Sequence, residues 1–127
     1  MLSGVCVGTN DLKAAGAFYD DVLATIGMTR LAEDEVEIGY GPPGGAASFW
    51  VLTPFNKDPA TVGNGVQVMF TAPSREGVHA FHEIALAAGG ADEGAPGPRS
   101  YGPGYYGAYC RDRDGNKLHV SVVSGGE

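Results

Sequence analysis

Apolar side chains recur along the chain with two different periods, and the switch between them outlines the elements. Leu12, Ala15, Phe18, Tyr19, Val22, Leu23 and Ile26 fall three or four residues apart, the spacing of one face of a helix. Val78, Phe81, His82, Ala85 and Leu86 repeat that pattern further along. Each run opens on a residue whose short side chain caps helices, Asp11 and Ser74, and closes on glycine, at Gly27 and at Gly89 and Gly90. Two amphipathic helices of about 15 residues are therefore predicted. Shorter β-like runs surround them. Around the first helix they are Gly4 to Gly8, Met28 to Leu31, Val36 to Tyr40 and Ser48 to Thr53. Around the second they are Val66 to Thr71, a Pro- and Gly-broken stretch from Ala91 to Arg99, Tyr105 to Arg111 and Lys117 to Val123.

The order β-α-β-β-β thus occurs twice, and the residues themselves repeat. A shift of 63 residues lays Ala17 and Phe18 on Ala80 and Phe81, Leu23 and Ala24 on Leu86 and Ala87, Gly27 on Gly90, and Val5 on Val68. The 127 residues are predicted to form one α+β domain of two βαβββ modules, about 1–60 and 63–127. The sharpest turn signal is Asp112-Arg113-Asp114-Gly115-Asn116. A three-residue loop with Gly115 left-handed would set Asp112 opposite Asn116 and Tyr109 opposite His119, whereas a two-residue loop would flip that pairing.

Alternation separates two sheet faces. Val5, Val7, Val66, Val68, Phe70, Leu118, Val120 and Val122 form a uniformly apolar set suited to lie beneath a helix. The opposite face carries Gly4, Cys6, Gln67, Met69, His119 and Ser121, together with Phe49 and Val51 if that strand keeps the same parity. Trp50 would then lie on the helix side or at a dimer seam. A face mixing an amide, a thioether, an imidazole and rings suits a concave small-molecule site. Tyr101, Tyr105, Tyr106 and Tyr109 supply rings for the mouth of such a pocket, suited to a planar ligand.

Charge and composition narrow the partners. Eight Lys and Arg against 15 Asp and Glu give a net charge of -7, which disfavours nucleic acid and anionic membrane. No basic segment precedes an apolar one at the start, and no apolar run reaches membrane-spanning length, so a cytoplasmic protein is expected. Cys6 and Cys110 stand in no ligand spacing and are expected to be reduced. The 21 Gly and 8 Pro mark turns. Gly102 to Gly107 fits a GxGxxG pattern but leads into a strand, not a helix, and so presents no helix N-terminus to a pyrophosphate. Asp112, Asp114 and Asn116 open like a calcium loop, yet Lys117 and Val123 stand where its Gly and Glu belong.

The paired modules resemble the vicinal oxygen chelate superfamily, which includes glyoxalase I, bleomycin-resistance proteins and extradiol dioxygenases. The resemblance rests on Val7 to Leu12 followed by Phe18, Tyr19, Val22 and Leu23, on Ala72 to Glu76 followed by Phe81, and on Tyr105 to Tyr109 with Asp112 to Leu118. It implies a curled, incomplete barrel with a site in its hollow, and a homodimer. It also implies a divalent metal on inward side chains at places that fall here on Gly4, Val51, Gln67 and His119. Gly4 and Val51 supply no donor atom, so Gln67 and His119 are the only plausible ligands. The expectation is no tightly held cofactor and at most a weakly bound divalent ion.

Two functions follow from this reading. In one, the protein is a glyoxalase-like lyase or isomerase, or a dioxygenase-type enzyme, acting on a small oxygenated substrate. His119 is then catalytic base or sole strong ligand, and Gln67, Met69, Tyr109 and Phe49 contact the substrate. In the other it is a metal-free protein of the bleomycin-resistance type that binds or sequesters a planar molecule. His79 and His82, on the second helix, are read as structural.

Overall fold

The computed structural model describes residues 1–123. The first module runs β1 (Val5–Gly8), α1 (Leu12–Ala24), β2 (Thr29–Glu33), β3 (Glu37–Gly41) and β4 (Phe49–Leu52). The second runs β5 (Gln67–Thr71), α2 (Arg75–Ala87), β6 (Ala91–Pro98), β7 (Tyr105–Arg111) and β8 (Lys117–Val123). Both helices start where capping chemistry places them: the Ala14 amide donates to the Asp11 carboxylate and the Gly77 amide to the Ser74 hydroxyl, each at 3.1 Å. They end slightly before the expected glycines. Gly27 and Gly89 then take φ of +83° and +104°, the left-handed turn that redirects the chain into the next strand.

Each module forms its own four-stranded sheet, ordered β1-β4-β3-β2 and β5-β8-β7-β6, so the strands close no barrel. Within each sheet the first strand runs parallel to the last, and the remaining pairs are antiparallel. The helices cover one face of the sheets. Phe18, Tyr19, Val22 and Leu23 of α1 and Val78, Phe81 and Ala85 of α2 are buried with Val7, Phe70, Leu118 and Val120 from the strands. A line of rings joins the modules through this core, with centroids 4.9 Å apart for Tyr19 and Phe49, 5.2 Å for Phe49 and Phe70, and 5.6 Å for Phe70 and Phe81.

Two face assignments made from alternation are corrected. Val66 precedes β5 and is 63% exposed, so it is no part of the core. In the parallel β1–β4 pair Val5 stands opposite Phe49, Cys6 opposite Trp50 and Val7 opposite Val51. Phe49 and Val51 therefore share the helix side with Val5 and Val7, and Trp50 lies with Cys6 on the other face. The sequence Phe49-Trp50-Val51-Leu52 is apolar throughout and carries no alternation from which to read parity; only its pairing decides.

The β7–β8 turn takes the three-residue form. The Asp112 amide donates to the Asn116 carbonyl at 2.9 Å, Gly115 has φ of +94°, and Tyr109 pairs with His119. Cys6 and Cys110 are free, the first exposed and the second buried. Among the described residues no helix is long and apolar enough to cross a membrane.

Candidate functional site

The pairing of β5, β8 and β7 sets Met69 opposite His119 and His119 opposite Tyr109, so these three side chains leave the sheet on its helix-free face. They line a cavity of about 290 Å³ with Gln67, Tyr101 and Tyr105. Gln67, Met69, Tyr109 and His119 thus come together as the sequence places them. Phe49 does not join them: it is 1% exposed, with its ring against Tyr19 and Phe70. Gly4, just before β1, and Val51, in β4, belong to the other module, and Val51 is fully buried. Tyr106 departs from the tyrosine group as well, because strand alternation turns it to the α2 side. There its hydroxyl lies 2.6 Å from His79 Nε2 and the Arg75 guanidinium sits 4.5 Å from its ring centre.

His119 forms the wall of the cavity and is 2% exposed. Its Nδ1 lies 2.9 Å from the Ala108 carbonyl oxygen, which only accepts, so Nδ1 carries a proton. In the neutral ring Nε2 is then the acceptor, and the Tyr105 hydroxyl donates to it at 2.7 Å. The Tyr109 ring stacks on the imidazole with centroids 4.2 Å apart and planes at 20°. Gly107 provides the room. A Cβ there would stand 2.7 Å from His119 Cε1, so the ring rests on bare backbone.

Electrostatics keep these groups neutral. Burial pushes the His119 imidazole below the ordinary 6.5, and the nearby charges of Arg99 and Lys117 push the same way, against the Ala108 hydrogen bond. Burial, followed by the hydrogen bond with Tyr101, lifts the Tyr109 phenol to about 12. The Tyr101 and Tyr109 hydroxyls are 2.5 Å apart. The hollow therefore offers flat apolar rings and neutral hydroxyls, with the Gln67 amide at its edge.

Module 1 carries a counterpart that the sequence reading missed. Met69 faces His119 as Cys6 faces Trp50, and the 63-residue repeat lays Cys6 on Met69. Trp50, not Val51, therefore holds the place of His119. It too lies over a glycine, since a Cβ on Gly39 would meet its Cζ3 at 2.6 Å. The signal that would have found it is the repeat applied to the parallel pair instead of to the parity of an all-apolar strand.

These donors do not compose a divalent-metal site. Gly4 and Trp50 offer no ligand oxygen or imidazole, Gln67 offers one amide oxygen, and the Nε2 lone pair of His119 is occupied by Tyr105. Among the described residues no three His, Cys, Asp or Glu side chains gather to hold an ion. The other histidines make polar contacts away from the hollow: His82 Nε2 lies 2.9 Å from Asp92 Oδ1 and ties α2 to β6, and the exposed His79 meets the Tyr106 hydroxyl.

Comparison with known proteins adds a family. The family model described as the Glyoxalase/Bleomycin resistance protein/Dioxygenase superfamily matches residues 2–120. A solved glyoxalase/bleomycin resistance protein from Albidiferax ferrireducens is 40% identical, with 96% of this chain and 98% of that chain covered and a TM-score of 0.86. A glyoxalase/bleomycin resistance protein/dioxygenase family enzyme from Burkholderia phytofirmans is 20% identical over 95% of this chain and 97% of its own, with a TM-score of 0.72. A lactoylglutathione lyase from Agrobacterium tumefaciens is 23% identical over 96% and 92%, with a TM-score of 0.62. The last two are similar in fold. No curated protein matches.

Proposed function

Because this chain belongs to the glyoxalase/bleomycin resistance protein/dioxygenase superfamily, we propose that it uses the family's hollow to bind a small planar organic molecule without a metal, as a homodimer. The observation that carries this reading is the state of His119. Both ring nitrogens are committed, one to Ala108 and one to Tyr105, and burial with two nearby cations opposes the protonation a general base must undergo. An imidazole so fixed, with Tyr109 stacked on it, backs the aromatic wall of the hollow. With Tyr109 against it and Tyr101 and Tyr105 beside it, the cavity presents rings to a ligand's face.

The test is a thermal-shift and calorimetric measurement with 2-naphthol as a neutral planar probe. Binding should raise the melting temperature equally with a chelator or with added Zn(II), Ni(II) or Mn(II), Tyr109→Ala should abolish the shift, and mass spectrometry should recover the probe unchanged. Binding that appears only with metal would overturn the proposal. A second reading, catalysis on a small oxygenated substrate, draws support from the Tyr105–His119 hydrogen bond, along which a substrate proton taken by the Tyr105 oxygen would be matched by transfer of the phenolic proton to Nε2. Turnover lost in Tyr105→Phe with ligand affinity retained would favour it.

A further inference from the structure

A second cavity, of about 420 Å³, adjoins the aromatic one, and Gln67 lines both. Asn64, Arg111 and Lys117 form part of its wall. The two cations differ in what they already hold. Arg111 is neutralised, with Nε and Nη2 each 3.1 Å from Glu93 Oε1 and Nη1 donating to the Gly115 carbonyl at 2.9 Å. Lys117 forms no ion pair with any described residue. Its Nζ lies 5.2 Å from the centre of the Tyr109 ring, the ring that stacks on His119. Lys117 thus stands between the aromatic wall and the polar cavity.

A second charge points the same way. The Arg99 guanidinium lies 5.5 Å from the centre of the Tyr109 ring. Its hydrogen bonds go to the carbonyls of Ala95, Gly97 and Pro98, and it forms no ion pair with a described residue. Two cations without carboxylate partners among the described residues therefore flank one ring in a chain whose net charge is -7. Their field reaches the hollow, since both depress protonation of His119. An ammonium-bearing ligand would meet repulsion here, and a neutral one would leave a half-buried Lys117 unanswered.

Resting on the reading that the hollow takes a planar molecule, we propose that its ligand is an aromatic carboxylate, with the ring among Tyr101, Tyr105 and Tyr109, which His119 backs, and the carboxylate directed past Gln67 to the Lys117 ammonium. The amide of Gln67 is neutral and both donates and accepts, so it passes either a carboxylate or its connecting atoms without a charge penalty. Division of labour follows. Stacking sets affinity for the ring, and Lys117 sets the preference for the anion.

Isothermal titration with 2-naphthoate, naphthalene-2-carboxamide and 2-naphthylmethylammonium separates the two parts. The carboxylate should bind about tenfold tighter than the amide, the worth of one charge-assisted hydrogen bond at a half-buried site, and the ammonium should bind weakest. In Lys117→Gln the carboxylate and amide affinities should converge, while Lys117→Arg should keep them apart. Equal affinities in the unaltered protein, or a gap that survives Lys117→Gln, would overturn the anion preference and leave planar-ligand binding standing. If none of the three binds, both readings fall.

Discussion

At Gly107 a side chain as small as a methyl group would stand 2.7 Å from His119 Cε1 and 2.9 Å from the Val120 carbonyl oxygen. The imidazole has nowhere to retreat, because Tyr109 stacks on it and both nitrogens are bonded. Gly107→Ala should therefore cost about 1–3 kcal/mol, the usual penalty for overpacking. Gly102, in the turn before β7, has open space around its missing side chain, so Gly102→Ala serves as the control and should change stability by less than about 0.5 kcal/mol. Urea unfolding of both variants checks this, and equal midpoints would refute the picture of a ring resting on bare backbone. At this scale the sequence was informative about Gln67, Met69 and His119, which alternation brings to one face, and about Tyr109 once the three-residue β7–β8 turn sets its pairing. Tyr105 was legible only as one more ring in the hollow. Its bond to His119 crosses the sheet from a residue paired with Val123, and it depends on side-chain geometry that strand periodicity does not encode.

Among the elements, the β7–β8 turn does more than reverse the chain. The Asp112 carboxylate accepts from the amides of Asp114 and Asn116, from Asn116 Nδ2 and from the Tyr19 hydroxyl. Asn116 Nδ2 also donates to the Gly8 carbonyl, and Asp114 accepts from Thr9 Oγ1 and the Asn10 amide. A turn of module 2 is thereby fastened to the end of β1 and the start of α1 in module 1. The carboxylates that look like the beginning of a calcium loop are spent on this clasp. Asp112 is 4% exposed, so Asp112→Ala would strand the buried Tyr19 hydroxyl and three part-buried donors and should cost about 3 kcal/mol. Tyr19→Phe removes one donor and should cost about 1 kcal/mol. A double-mutant cycle in urea gives the coupling between them; a coupling near zero would mean that the two side chains stabilise their modules separately. The sequence announced the turn and its Gly115 but not the clasp, since the partners lie about a hundred residues away and no local pattern reports them. The succession of helices and strands along the chain and the helix caps were legible for the opposite reason, because periodicity and capping are local.

For the molecule as a whole, duplication was the most readable property, and its consequence is a pair of sheets that leave β1 and β5 as edge strands. Between these edges lies a groove of about 280 Å³ lined in part by Leu2, Gly4, Phe49, Met69 and Phe70. Leu2 is 84% exposed and Met69 65%, although both lie beside these edges. Unpaired edges beside exposed apolar side chains are costly to leave in water, and a second copy related by twofold symmetry would cover both at once. Such a copy would also close the open side of the hollow beside Met69, so the proposed homodimer and the proposed ligand site support one another. Sedimentation velocity should give twice the 13.1 kDa of the chain, and Met69→Asp, which puts a carboxylate into that seam, should shift the mass toward one chain without lowering helix content by circular dichroism. A single-chain mass for the unaltered protein at every concentration would remove the dimer. An unchanged dimer in Met69→Asp would place its seam elsewhere and separate assembly from the ligand site.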